Sequence, residues 1–148
     1  MGRSELVLIY VSLIITQLVV VFSDDIDYTL LHDDMRKLGE KTGIRKKCLA
    51  ENSDVTVSML EQAELGEFPD NNNLACYFKC VVEKAGLMKK DGKINFKLLL
   101  KMIPTPYKKI ANDMFEECLN IEGSDNCEKA YNLNKCLHKA NPVAYFVI

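Results

Sequence analysis

Six cysteines are the residues whose type and spacing promise chemistry in this 148-residue chain: Cys48, Cys76, Cys80, Cys118, Cys127 and Cys136. Three chemistries compete for them. A catalytic thiolate needs a reduced cysteine in an electropositive setting. A zinc site needs cysteine and histidine ligands grouped together; Cys76 and Cys80 stand at i, i+4 and could chelate, but His32 and His138 lie near neither. An even count in a short exported chain reads instead as a disulfide framework. Export is signalled by the apolar run from Leu6 to Phe22, with Arg3 before it and Ser23, Asp24, Asp25 and Asp27 after it. Residues 1–23 therefore read as a secretory signal peptide cut between Ser23 and Asp24. Residues 24–148 suit one domain. A membrane anchor is the rival reading, but the run is at the lower limit for a span, and no Lys or Arg follows it directly.

Other reactive constellations do not assemble. There is no G-x-S-x-G nucleophile elbow. His32 is followed by Asp33 and Asp34, but neighbouring residues on a helix diverge by about 100°. Asp91-x-x-x-Asn95 is too short for a calcium loop. Net charge is −2 with no basic stripe, so nucleic acid is not an expected partner. No enzyme activity, cofactor or metal is expected.

The elements that must position the cysteines read as helices. Tyr28, Leu31, Met35 and Leu38 recur at helical spacing, with Gly39 and Gly43 punctuating the end. Ile44 to Ala50 forms a further short helical piece carrying Cys48. Asp54 is the expected cap of a second helix, with Met59, Leu60 and Ala63, that ends near Gly66 and Pro69. Asn71 or Asn72 starts the third, whose face is Leu74, Phe78, Val81, Val82 and Ala85, and Gly86 stops it. Lys89 to Lys93 is a turn around Gly92. Asn95 caps the fourth helix, which runs to Pro104. The fifth is expected from near Pro106 to Gly123, and Ser124 is the expected cap of the sixth, which ends before Pro142. Cys76 and Cys80 differ by about 40° around their helix and point the same way; Cys127 and Cys136 differ by about 180° and should not pair with each other. Several of the pairings open to six cysteines survive those two limits.

The spacing Cys48-x27-Cys76-x3-Cys80-x37-Cys118-x8-Cys127-x8-Cys136 resembles the six-cysteine signature of the insect odorant-binding family, which includes the pheromone-binding and general odorant-binding proteins. Flanking words agree: Cys76-Tyr77-Phe78-Lys79-Cys80, Cys127-Glu128-Lys129-Ala130-Tyr131, and Asn141-Pro142 followed by Tyr145-Phe146. The resemblance implies an all-α fold of about six short helices around an apolar cavity. It also implies three interlocked disulfides, Cys48–Cys80, Cys76–Cys127 and Cys118–Cys136, which satisfy both angular limits.

The resemblance further implies a secreted carrier of small apolar volatiles or lipid-like ligands, monomeric or weakly dimeric, that delivers them through aqueous fluid to an odorant receptor. A non-olfactory salivary or reproductive-fluid factor on the same scaffold is the alternative. The family's pocket positions fall here on Val81, Val82, Ala85, Phe96 and Leu99, then on Ile103, Tyr107, Ile110, Ala111 and Met114, with Tyr145 and Phe146 from the tail. Leu38 and Ile44 are less firmly aligned. Asn134 and Tyr107 are the expected hydrogen-bond donors to a ligand. Burying on the order of 300 Å² of a volatile with about 12–16 heavy atoms gives a gross 7–8 kcal/mol, hence micromolar affinity once association entropy is subtracted.

The residues after Cys136 end in apolar Tyr145-Phe146-Val147-Ile148, too short for a stable helix. In family members with such a tail it covers the pocket, and a basic residue and a tyrosine hold its carboxylate. The matching positions are Arg45 and Tyr77, with Ile148 as the group held. Pairing with Arg45 would favour the ionised carboxylate, so the lid is expected to loosen in acid. With only His32 and His138 present, a histidine switch is the weaker account.

Overall fold

The structure, a computed structural model, describes residues 26–148 together with Tyr10. The expected signal peptide otherwise lies outside the described residues. Seven α-helices and one 3-10 turn follow one another among them, with no strand.

Helix α1 spans Tyr28–Thr42. Asp27 starts it by accepting a hydrogen bond from the Leu30 amide at 3.1 Å, and Leu31, Met35 and Gly39 form its buried stripe. Its end is at Gly43, whose φ of 65° is left-handed and costs glycine nothing. Gly39 sits inside the helix rather than at its end. Gly43 also begins α2, Ile44–Glu51, which buries Ile44 and Cys48.

Helix α3 spans Val57–Glu64 and is capped by Thr56, not Asp54. Asp54 instead accepts from the Asn73 side chain at 2.9 Å. Helix α4 spans Asn72–Lys84; the Asn71 side chain accepts from the amides of Asn73 and Leu74. It buries Leu74, Ala75, Tyr77, Phe78 and Cys80. Gly86 ends it, and the expected turn follows, closed by a single antiparallel bridge between Met88 and Ile94.

Helix α5, Phe96–Met102, is capped by Asn95. A 3-10 turn at Thr105–Tyr107 leads into α6, Lys108–Glu117. The expected continuation to Gly123 is not seen: α6 stops at Glu117, because Cys118 turns away toward its disulfide partner on α7. Gly123 serves a different need, since a Cβ there would stand 2.5 Å from the Lys129 backbone nitrogen. Helix α7 spans Asn126–Ala140 and is capped by Asp125, not Ser124. Ser124 completes the cap from outside: the Glu128 carboxylate accepts from its amide at 2.7 Å and its hydroxyl at 2.5 Å, while Asp125 accepts from the Glu128 amide at 2.9 Å.

All six cysteines are oxidised. Cys48–Cys80 ties α2 to α4, Cys76–Cys127 ties α4 to α7, and Cys118–Cys136 ties the end of α6 to α7. The most extensive packing in the molecule is between α4 and α7. With this pair as the spine, α1, α5 and α6 stand off it and enclose an interior that side chains do not fill.

Candidate ligand-binding cavity

That interior is a cavity of about 140 Å³. Each wall is the apolar stripe of one helix at the spacing of 3.6 residues per turn. Helix α4 gives Phe78, Val81 and Val82, with Ala85 at its end; α5 gives Leu99, Met102 and the following Ile103. Tyr107 and α6 give Ile110, Ala111, Met114 and Phe115, and α7 gives Leu133, Asn134 and Leu137. From α1 come Leu31, Met35, Leu38, Gly39 and Thr42, with Ile44 from α2. Residues Ala144 to Ile148 of the tail close the remaining side.

Twelve of the thirteen residues named from the sequence stand on this lining: Val81, Val82, Ala85, Leu99, Ile103, Tyr107, Ile110, Ala111, Met114, Asn134, Tyr145 and Phe146. Phe96 does not. It stacks on Phe115 from outside, with ring centroids 5.5 Å apart, so it supports a lining residue without reaching the space itself. Sequence reasoning did not single out Gly39, Thr42, Leu87 or Leu133. Leu133 carried the signal of an apolar face, but a helical stripe does not distinguish a filled core from a hollow one. Gly39 carried none, since a glycine near a helix end looks like a stop.

The polar groups on the lining are largely committed to hydrogen bonds within the protein. The Tyr145 hydroxyl donates to Asn134 Oδ1 at 2.8 Å, and Asn134 Nδ2 donates to the Ala130 carbonyl at 2.8 Å. The Tyr107 hydroxyl reaches the Asp27 carbonyl at 3.4 Å, and the Thr42 hydroxyl donates to the Gly39 carbonyl at 3.0 Å. The pair expected to donate to a ligand, Asn134 and Tyr107, therefore has its hydrogen bonds largely committed; the second Asn134 N–H is left. Burial raises the Tyr145 hydroxyl far above the ordinary tyrosine range, helped by the negative charge of Glu64. That phenol stays a neutral donor.

The tail is built residue by residue. Asn141 ends α7, and its side chain accepts from the amides of Val143 at 3.2 Å and Ala144 at 3.0 Å, turning the chain back. His32 Nε2 lies 3.0 Å from the Val143 carbonyl and pins the turn to α1. Ala144, Tyr145 and Val147 are then buried. At the end of the tail the Tyr77 hydroxyl donates to the Ile148 main-chain oxygen. Tyr77 is fully buried, which pushes its hydroxyl up to about 12, against the opposing pull of the Arg45 charge. The expected partner Arg45 is near but makes no ion pair with the terminal carboxylate among the described residues. The Ile148 oxygen is met by a hydroxyl, not a guanidinium.

Among the described residues, no three His, Cys, Asp or Glu side chains gather where a metal could sit, and no helix is long and apolar enough to cross a membrane. The profile of the PBP/GOBP family matches residues 33–140. General odorant-binding protein 19a of Drosophila melanogaster is 29% identical over 112 residues, 70% of this chain and 75% of that protein. The structure of Apis mellifera odorant binding protein 5 matches with a TM-score of 0.69 at 29% identity, over 79% of this chain and 97% of that one. Odorant Binding Protein 4 of Chrysopa pallens matches with a TM-score of 0.69 at 28% identity, over 78% of this chain and 97% of that one. With three disulfides in the pairing that the resemblance implied and helices that superpose on these structures, and with the family profile matching most of its length, the chain belongs to the PBP/GOBP family, the insect odorant-binding proteins.

Proposed function

We propose that this protein is a secreted carrier that holds a small, uncharged, apolar molecule in the cavity between α1, α4, α5, α6 and α7 and moves it through aqueous fluid, with an odorant receptor as the downstream partner. One observation carries the reading: an interior lined by methyl and aromatic groups, whose few polar atoms are mostly engaged in hydrogen bonds within the protein. Such a space repels water and ions and gains from any apolar occupant. The export leader at residues 1–23 and the mature domain at residues 24–148 belong to this proposal.

Cavity volume constrains the occupant. An apolar cavity of about 150 Å³ stays dry and binds benzene, so 140 Å³ suits a ligand of that size. The volatile of about 12–16 heavy atoms considered from sequence is larger than a benzene-sized space. It enters only if Met35, Met102 and Met114 re-pack, which thioether side chains do at low cost, or if the tail yields.

The tail is a lid in this reading, with Tyr77 and Ile148 as its clasp and Arg45 as a nearby positive charge. An ionised carboxylate accepts a charge-assisted hydrogen bond, about twice as strong as a neutral one. Protonating it in acid weakens the clasp, so ligand is released at low pH.

Saturable uptake tests the carrier. The apolar fluorophore N-phenylnaphthylamine should bind near micromolar concentration and be displaced by small aromatic or terpene-like volatiles. Leu99→Asp or Met114→Asp, in protein that retains its helical circular dichroism, should abolish uptake. A folded wild-type protein that takes up neither this fluorophore nor a benzene-sized apolar ligand, or a folded aspartate variant that binds unchanged, contradicts the assignment.

A further inference from the structure

Helix α1 keeps a glycine in its interior. Relative to alanine, that choice costs a helix about 1 kcal/mol. Backbone conformation does not require it: the glycines with positive φ are Gly43, Gly66, Gly86 and Gly92, and Gly39 is not among them. Space does. A Cβ built on Gly39 would stand 2.7 Å from Ile148 Cγ2, and the next two nearest atoms, at 3.8 and 4.0 Å, also belong to Ile148. The bare backbone of Gly39 therefore faces the last residue of the chain rather than another helix. Both residues border the cavity.

We infer that Gly39 is a positioning residue for the tail: its missing side chain is a notch in α1 that receives the Ile148 methyl group and seals the cavity by shape. The two halves of the clasp divide the work. The notch fixes the side chain of Ile148, and the Tyr77 hydroxyl fixes its main-chain oxygen. On either side of the notch in sequence, α1 carries the side chains of Leu38 and Glu40. The notch half of the clasp is thus set by one atom of missing bulk, independent of charge. Its consequence for ligand retention rests on the carrier reading above; the latch itself does not.

The test is alanine at position 39, read by carboxypeptidase on the full secreted protein. Gly39→Ala fills the notch without straining the helix, so its melting temperature should equal or exceed that of the parent. The C-terminal residue should nevertheless be released at least about fivefold faster, the low end of what overpacking costs. Ile148→Ala removes the methyl group that collides. Adding Gly39→Ala to Ile148→Ala should leave the release rate of that variant unchanged, since the two substitutions couple only through contact. Release that is equal in Gly39→Ala and the parent overturns the inference, and so does an equal acceleration on both backgrounds. A second measurement leaves α1 untouched: Ile148→Ala empties the notch from the other side and should shorten the residence time of bound N-phenylnaphthylamine. Unchanged residence overturns the notch as a seal. Release kinetics need no ligand, so a protein that binds no fluorophore but shows the coupled release pattern would sink the carrier and keep the latch.

Discussion

Tyr77 shows how one side chain sets the behaviour of a terminus. Its hydroxyl is buried and held up at about 12, above the ordinary tyrosine value of about 10. The folded state thus keeps a proton that the unfolded state gives up first. Its contribution is complete below about pH 10 and is lost as pH rises through about 12. We expect an alkaline absorbance titration to show a fraction of tyrosinate that appears late, and Tyr77→Phe to remove part of it. Tyr145, Tyr107 and Tyr131, also shifted upward by burial, share the rest. The same Tyr77→Phe protein should bind fluorophore more weakly at neutral pH and depend less on acid, because its terminal carboxylate has lost its donor. At this scale the sequence was informative where a motif fixed a position. Tyr77 was found from its place three residues before Cys80. Arg45 was assigned by the same rule, and its guanidinium stops short of the carboxylate. A register along a helix gives direction, but the reach of a long flexible side chain is decided by its neighbours.

At the scale of elements, helix identity was legible and helix ends were less so. The apolar stripes of α1, α4, α6 and α7 follow the helical period, and Asn71, Asn95 and Gly43 do what their residue types favour. The errors arose where two capping residues competed. Asp54 and Thr56 are both good caps, and the choice went to Thr56 because Val55 is buried and must precede the helix. Ser124 and Asp125 share a single cap through Glu128. Their unequal roles are measurable. Asp125→Ala should cost about 1 kcal/mol, in the range of a lost N-cap, and lower the melting temperature by about 3–6 °C for a domain of this size. Ser124→Ala leaves the amide bond to Glu128 intact and should cost about half as much or less. Equal losses in the two thermal melts would show that Ser124 is the true cap. Helix α6 ends at Glu117, well before Gly123, for a related reason: a cysteine committed to a disulfide can end a helix without any breaker residue.

The whole molecule is a frame of few contacts held by covalent links, which is why it encloses a space where most domains of this length pack solid. In the chain-entropy description, bridges spanning 32, 51 and 18 residues each restrict the unfolded chain by about 3–4 kcal/mol. Removing the shortest link, in Cys118→Ser with Cys136→Ser, should destabilise the fold by about 3 kcal/mol. It should also free the end of α6, where Met114 and Phe115 face the cavity. Denaturant unfolding and fluorophore affinity should fall together. A loss of stability with affinity intact would mean that α6 is held by packing alone. The hollow interior was not legible from residue patterns, since apolar stripes look alike whether they meet or stand apart. It came from resemblance, and its small volume from the structure.

The interlocked order of the three bridges has a further effect on resistance to proteolysis. Every peptide bond between Cys48 and Cys136 is straddled by at least one disulfide. A protease that severs the exposed turn at Lys89–Lys90, or the loop around Leu65, opens the backbone but frees no fragment. The two pieces should migrate as one species without reductant and separate with it. Damage of that kind accumulates silently. The tail after Cys136 has no such insurance, so the first cut to shed mass from the C-terminal side also strips the cavity of its cover. On the carrier reading proposed above, an ageing population of the protein would lose its grip on a ligand well before it lost its scaffold.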